Sequence, residues 1–498
     1  MLPIAARLIR PLGAALAALN LACLIPVPTG PNPGSAPRTR AALRRSIDSL
    51  VTQPEFRTAQ WGVLIVDPAS GDTLYSRNAG KLFLPASNMK LVTLAVAAEK
   101  LGLDYRWTTA VAARGRVSAG VLAGDLLVIG RGDPSVSDST SGDAMRALRG
   151  IADSLYAAGI RRVAGRLVAA GNAFPGPTVG FGWSWDDLGD PDGAAIDELL
   201  FNDGFALLHV RAGTDAGDPP AVQTSPARTY PRVLMAARTV ALGDPALSTD
   251  SLRAVKDTLQ DVFEVRGAIA AGDSATLPVT FTDPDGAYLA ALHEALADRG
   301  IVVDGAPTDT AAAVDTLVRW HSPTLAEVMP AVFKPSQNQM AEMVFRTLGL
   351  TQTGVGRADS AARVVGDQLL AWGAEPDGYL LRDGSGMARY DYLTPETVVR
   401  VLDAVHRSPA FDTYYAALPI AGVDGTLKDR MRGTPAQGNV HAKTGSLSNA
   451  RSLSGYVTTA SGRTLMFSIL VNNFTTKSSR VAAVQDAIVE WLADLNLR

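Results

Sequence analysis

Cysteine is almost absent: Cys23 is the only one in 498 residues, and it lies in an apolar N-terminal segment. A chain trimmed beyond that segment has no disulfide and is held by core packing alone. Histidine is scarce too, and none of the five pairs at metal-ligand spacing. "HEALA" (293–297) opens like a zinc-protease helix, but Ala297 stands where the second histidine is needed, so His293 reads as a surface or helix-packing residue. A formal charge of −3 and the lack of a basic run with interleaved aromatics exclude nucleic acid as the expected partner. No Gly-rich nucleotide loop occurs, since "GRGDP" is a turn without a following lysine. The Gly-x-Ser-x-Gly elbow is missing as well: Asp383 precedes Gly384-Ser385-Gly386, so a Ser-His-Asp triad has no local support. Lysine supplies only eight of 46 basic residues, which makes each lysine's setting informative.

What is present begins with an export signal. Arg7 and Arg10 precede "PLGAALAALNLACLIPV", a run too short and too interrupted for a membrane span and typical of a secretory leader. The chain is therefore expected to be exported, periplasmic or cell-wall-associated. "LNLAC" loosely resembles a lipobox, although Asn20 stands where an aliphatic residue is expected. Two fates of Cys23 stay open: a lipid anchor giving peripheral membrane attachment, or removal with the leader. "PVPTGPNPGSAP" is a Pro/Gly-rich spacer, and residues 1–38 lie outside the fold.

At this length two or three domains are expected. Thr39 to Val51 has helical apolar spacing, and "WGVLIVD", "PASGD" and "TLYSR" read as strand, turn and strand. "FLPASNMKLVTLAVAAEK" follows as a helix of three to four turns with a glycine stop at Gly102. From about residue 108 to 285, short strand-like runs alternate with Gly/Asp/Pro turns. Helical patterns return at "DGAYLAALHEALADRG" and "TLAEVMPAVFKPSQNQMAEMVFRTLG". A hairpin turning at Ser461-Gly462 and a closing helix end the chain. The expected division is 39–107 with 285–498 as one split unit, 108–190 with 268–284 as a second, and 191–267 as a third.

The apolar helix carries one lysine at its start. Ser87 and Lys90 are three residues apart, on one helix face. Ser87 lies near the helix N-terminus, where N–H groups favour developing negative charge. Lys90, among Leu91, Val92, Leu94 and Val96, loses hydration, and desolvation favours a neutral amine able to take the serine proton. Alone the pair is weak, because a capping serine and a snorkelling lysine account for it equally.

Two further motifs follow in order: Ser336-Gln337-Asn338 in "KPSQNQMAE" and Lys443-Thr444-Gly445 in "HAKTGSLSN". A second Ser-x-Asn, Ser76-Arg77-Asn78, precedes the serine and reads as a strand end. Ser-x-x-Lys, Ser-x-Asn and Lys-Thr-Gly in this order form the signature of penicillin-recognising serine enzymes. The sequence resembles the D-alanyl-D-alanine carboxypeptidase/endopeptidase family of low-molecular-mass penicillin-binding proteins, over nearly the whole chain beyond the leader. "GDLLVIGRGDPS", "GWSWDD…LLFND", "RDGSGMARYDYLTP" and "AKTGSLSNARSLSGYV" carry it, together with the 249 positions between Ser87 and Ser336. The implied fold is α/β (α+β): a β-lactamase-like domain, an antiparallel sheet flanked by helices, split by a large β-rich insertion.

The resemblance implies Ser87 as nucleophile and Lys90 as base. Ser336 relays a proton to the leaving amine between the two lysines, and Asn338 holds the substrate amide carbonyl. Lys443 and Thr444, with Gly445, bind the terminal carboxylate, and the amides of Ser87 and Ser446 form the oxyanion hole. Partners are peptidoglycan stem peptides ending in D-Ala-D-Ala and β-lactam antibiotics, with no cofactor and no metal; no oligomeric state follows. Met387-Ala388 replace the family's usual Leu-Ser, while Arg389 is kept. Asn172 stands where relatives often carry an acid at the cleft rim, which argues against reading a diaminopimelate amino group there. Asp383 and Ser385 read as loop-structural. The competing readings are a β-lactamase or esterase on the same scaffold and a non-catalytic cell-wall-binding protein.

Overall fold

The computed structural model describes residues 37, 39–256, 261–306 and 313–496. The leader and Cys23, with its two possible fates, lie outside the described residues. Among those described, no helix is long and apolar enough to cross a membrane.

A five-stranded antiparallel sheet joins the two ends of the chain. Its strand order is His441–Leu447, Ala450–Thr458, Thr464–Asn472, Gln60–Val66 and Thr73–Arg77. The period of two predicted for "WGVLIVD" divides its side chains between two layers. Trp61, Val63 and Ile65 pack with the helices Arg40–Val51 and Ser478–Asp494. Leu64 faces the opposite layer, which includes the helices Met89–Lys100, Leu325–Phe333 and Asn338–Thr353. The turn of the C-terminal hairpin falls at Ser461-Gly462, where Gly462 has φ 80°.

Every residue from Met89 to Ala97 is buried, so this helix is apolar all round because it is the centre of its layer rather than a surface helix. It stops as expected, with Leu101 as its cap and Gly102 at φ 82°. Ser87 is not its capping residue: it sits in a 3-10 turn, Ala86–Asn88, just ahead of the helix.

The insertion is β-rich, but strand pairing redraws its expected edges. The strand Arg106–Ser118 pairs on one side with Val121–Ile129 and on the other with Val314–Thr324. The helix Pro284–Asp298 buries Ala287, Ala291, Leu292 and Ala295 in one cluster with Leu148, Ile151 and Leu155 of the helix Met145–Ala157. The helix Pro284–Asp298 and the strand Val314–Thr324, expected almost entirely with the first unit, thus pack with the insertion, and Leu325 is back in the helical layer. Likewise Ser274–Thr280, expected with 108–190, pairs with Phe205–Arg211. Apolar periodicity reports which face of an element is buried, not what buries it.

Part of the insertion reaches back over the helical layer. Phe174, Trp183, Ile196 and Leu200 pack on Met343, Leu350, Met387 and Ala388. Arg346 donates to the Pro177 carbonyl, and Gln339 Nε2 donates to the carbonyls of Pro191, Asp192 and Ala194 at 3.0, 3.1 and 3.3 Å.

Candidate active site

The three motifs converge on one cleft of about 750 Å³, lined by Ser87, Ser336, Asn338, Thr444, Gly445 and Ser446 among others. The nucleophile turn comes first. Ala86 has φ 47°, an uncommon conformation for a side-chain-bearing residue. Two contacts hold the turn against the sheet: Asn88 Nδ2 donates to the Lys443 carbonyl at 2.8 Å, and Ser452 Oγ donates to the Pro85 carbonyl at 2.7 Å. Gly445 leaves no room for a side chain, since a Cβ there would sit 2.9 Å from the Ser87 amide nitrogen. The Lys-Thr-Gly strand therefore passes directly beside the amide of Ser87.

Lys90 is fully buried, and its ammonium nitrogen has three acceptors. It donates to Ser87 Oγ at 2.9 Å, to Asn338 Oδ1 at 2.6 Å and to the Ser385 carbonyl at 2.9 Å. Burial pulls its pKa from 10.5 down to about 8, against the opposing pull of Asp383, Glu342 and Asp192. Lys443 is fully buried as well; burial, with repulsion from Lys90, holds its ammonium well below the usual lysine range. It donates to Ser336 Oγ and to the Thr444 carbonyl, both at 2.8 Å. Ser336 has φ 69°, a strained setting that the bond from Lys443 helps to hold.

The two members of the second motif thus serve different lysines: Ser336 accepts from Lys443, and Asn338 accepts from Lys90. Asn338 Nδ2 also donates to the Asp192 carbonyl at 3.0 Å, bringing the insertion to the cleft. An amide NH2 has two hydrogens, and Asp192 engages one of them. Thr444 Oγ1 donates to Thr426 Oγ1 at 2.7 Å. Ser446 lies on the edge strand of the sheet, which Pro419 and Ile420 cover only at its start, where Ala442 N donates to the Pro419 carbonyl.

Several residues behind the lysine were not singled out for this role by the motifs. Glu342 Oε1 accepts from the Gly384 and Ser385 amides at 2.8 and 2.7 Å. Asp383 accepts from the Gly386 and Ala388 amides at 2.7 Å each and from Trp183 Nε1 at 2.9 Å. Burial and Asp383 push the Glu342 carboxyl up to about 7. These bonds present the Ser385 carbonyl to Lys90. The available signal was spacing: Glu342 is four residues after Asn338, hence one turn along the same helix face. Gly386, at φ 84°, packs so closely that a Cβ would lie 1.9 Å from the Ala86 carbonyl oxygen.

Asn172 is exposed and does not line the cleft; the acids that do are Asp187 and Asp192. Arg389 Nη2 stands 3.7 Å from Asp187 Oδ2, so the cleft wall carries both charges. The absence of an acid at 172 therefore says nothing about recognition of an amino group. Met387 both lines the cleft and packs with Ala388 against Trp183.

The chain is similar to known proteins over most of its length. The chain is 35% identical over 471 residues to the D-alanyl-D-alanine carboxypeptidase of Actinomadura sp. (strain R39), covering 91% of this chain and 84% of that protein. It is 28% identical over 431 residues to the D-alanyl-D-alanine carboxypeptidase DacB of Haemophilus influenzae, covering 82% and 85%. In fold it is similar to the crystal structure of penicillin binding protein 4 (dacB) from Haemophilus influenzae, with TM-score 0.74 and 24% identity over 89% of this chain and 97% of that one. Residues 43–495 match the D-Ala-D-Ala carboxypeptidase 3 (S13) family, and the chain belongs to that family.

Proposed function

We propose that this protein is a serine D-Ala-D-Ala carboxypeptidase that acts on peptidoglycan stem peptides through an acyl-enzyme on Ser87. The observation that carries the reading is the buried Lys90 amine, 2.9 Å from Ser87 Oγ at the wall of the cleft. With its pKa near 8 rather than 10.5, about 300 times more of the lysine is neutral at pH 7. Neutral Lys90 takes the Ser87 proton as Oγ attacks the carbonyl of the penultimate D-alanine. The tetrahedral oxyanion is met by the amides of Ser87 and Ser446. As the C–N bond breaks, Ser336, held by Lys443, gives its proton to the leaving amine of D-alanine and takes in its place the proton that Lys90 gained, so Lys90 is again neutral. Water then attacks the ester, Lys90 takes its proton and returns it to Ser87 Oγ as the C–O bond breaks, and the shortened peptide leaves.

An extended substrate lies along the open edge of the Lys-Thr-Gly strand, with the second N–H of Asn338 meeting a substrate carbonyl. The paired charges of Asp187 and Arg389 suit a stem-peptide side chain ending in both an ammonium and a carboxylate. A β-lactam presents its strained amide to the same serine, and a related solved structure, penicillin binding protein 4 from Haemophilus influenzae, is described in complex with a β-lactam. The leader sends the protein to the periplasm or the cell wall, where this substrate is found.

The test is labelling with a fluorescent penicillin and mass mapping of the adduct, alongside D-alanine release from a defined stem peptide. The expected result is an adduct on Ser87, stable for hours, and one D-alanine per peptide. An adduct that survives Ser87→Ala overturns the assignment, and one that turns over within seconds favours a β-lactamase.

A further inference from the structure

Beyond the three motifs, the cleft has a basic end. Arg430 and Arg451 both line it, close to Thr444 and Ser446. They are not equivalent. Arg430 is balanced by Asp486, with Nη2 and Nε 2.6 and 3.0 Å from Oδ1. Arg451 is half-buried and donates to Ser478 Oγ, and among the described residues no carboxylate lies within ion-pair distance of it. The site therefore holds two guanidinium groups and one carboxylate, a net positive charge facing the cleft. Burial and the neighbouring Arg430 both disfavour the Arg451 cation in the free protein, so an anion arriving there relieves a standing cost.

Strand geometry puts that charge on the appropriate side. Side chains alternate along His441–Leu447, so Lys443 and Gly445 point to one face and Thr444 and Ser446 to the other. Arg451 pairs directly with Ser446 in the neighbouring strand and shares its face. Thr444 Oγ1, Thr426 Oγ1 and the two arginines thus line one wall. Lys443, assigned from the motif to the terminal carboxylate, is fully buried and turned inward to Ser336 and the Thr444 carbonyl. Its charge tunes the proton relay; an exposed carboxylate needs a cation on the other face.

We propose that Arg451 binds the free carboxylate on the leaving-group side of the scissile bond and so sets the preference for an uncapped peptide end. This rests on the carboxypeptidase reading and names the specificity element within it. A guanidinium fork offers a carboxylate two parallel N–H donors, which a lysine cannot match.

The experiment compares one stem peptide ending in D-Ala-D-Ala as the free acid and as the C-terminal amide, with the wild type, Arg451→Gln and Arg451→Lys. The wild type is expected to favour the acid. Arg451→Gln should lower the acid-to-amide ratio of kcat/KM about tenfold, chiefly through KM for the acid. Arg451→Lys, which keeps the charge and guards against a folding defect, should fall between. A wild type indifferent to the cap, or variants that slow both peptides equally, would overturn the proposal while leaving the hydrolase reading intact. No D-alanine from the acid and no D-alaninamide from the amide, with Ser87 unlabelled by penicillin, removes both.

Discussion

Lys90 donates at 2.9 Å to the carbonyl of Ser385, a residue 295 positions away whose own amide is held at 2.7 Å by Glu342. The base is thus fixed from behind as well as from the serine it faces. Glu342 also acts on it electrically, because an ionised carboxylate nearby favours the ammonium form.

Lys90 must be neutral to act, so acylation should slow about tenfold per pH unit below a limb near 8. Glu342→Gln keeps an oxygen to accept both amides but removes the negative charge. The Lys90 pKa then falls, and the acid limb of kcat/KM moves to lower pH. Glu342→Ala instead leaves two buried amides unpaired, at about 1–3 kcal/mol each, and should lower the melting temperature and the rate together. The pH profile separates the two effects; an unmoved limb in Glu342→Gln would remove the electrostatic role.

Lys90→Arg tests the base itself. Arginine cannot give up its proton near neutral pH and does not fit the compact set of acceptors Ser87, Asn338 and Ser385. Penicillin acylation should drop by about 10²–10⁴-fold. Acylation at the wild-type rate would show that the proton goes elsewhere.

Gly386→Ala probes how the loop holds the nucleophile turn. The residue has φ 84°, and its Cβ would lie 1.9 Å from the Ala86 carbonyl oxygen. Backbone must move on one side or the other, and Ala86 adjoins Ser87. We expect a stability loss of about 1–3 kcal/mol by denaturant titration. Acylation should fall more than the melting temperature alone explains.

These relationships mark where sequence reasoning stops. The Gly102 helix stop, the Ser461-Gly462 turn and the Ser87/Lys90 spacing were legible because each is decided within a few residues. The joining of Ser336 and Asn338 to them was legible only through the ordered motifs, since Lys90 and Asn338 are 248 positions apart. Nothing local distinguished the helix Pro284–Asp298 as part of the insertion. Its partners lie on the helix Met145–Ala157, and an amphipathic pattern is the same whichever neighbour covers it. Asp383 and Glu342 carry ordinary loop and helix signals, and their work appears only once Ser385 is seen against Lys90.

The insertion itself is open to a test that separates binding from chemistry. Gln339 is fully buried, and its amide nitrogen donates to Pro191, Asp192 and Ala194, the segment that brings Asp192 to the cleft. Gln339→Leu removes that donor without touching Ser87, Lys90 or Lys443; the Asp192 carbonyl keeps its bond from Asn338 and the Pro191 carbonyl its bond from the Ala194 amide, but the segment is held more loosely. A small β-lactam reacts at the lysine–serine centre and should acylate within a few-fold of the wild-type rate. A stem peptide, long enough to reach the wall formed by Asp187, Asp192 and Arg389, should show KM raised about tenfold with kcat less affected. Equal losses for the β-lactam and the peptide would mean that the segment supports the catalytic centre rather than the substrate.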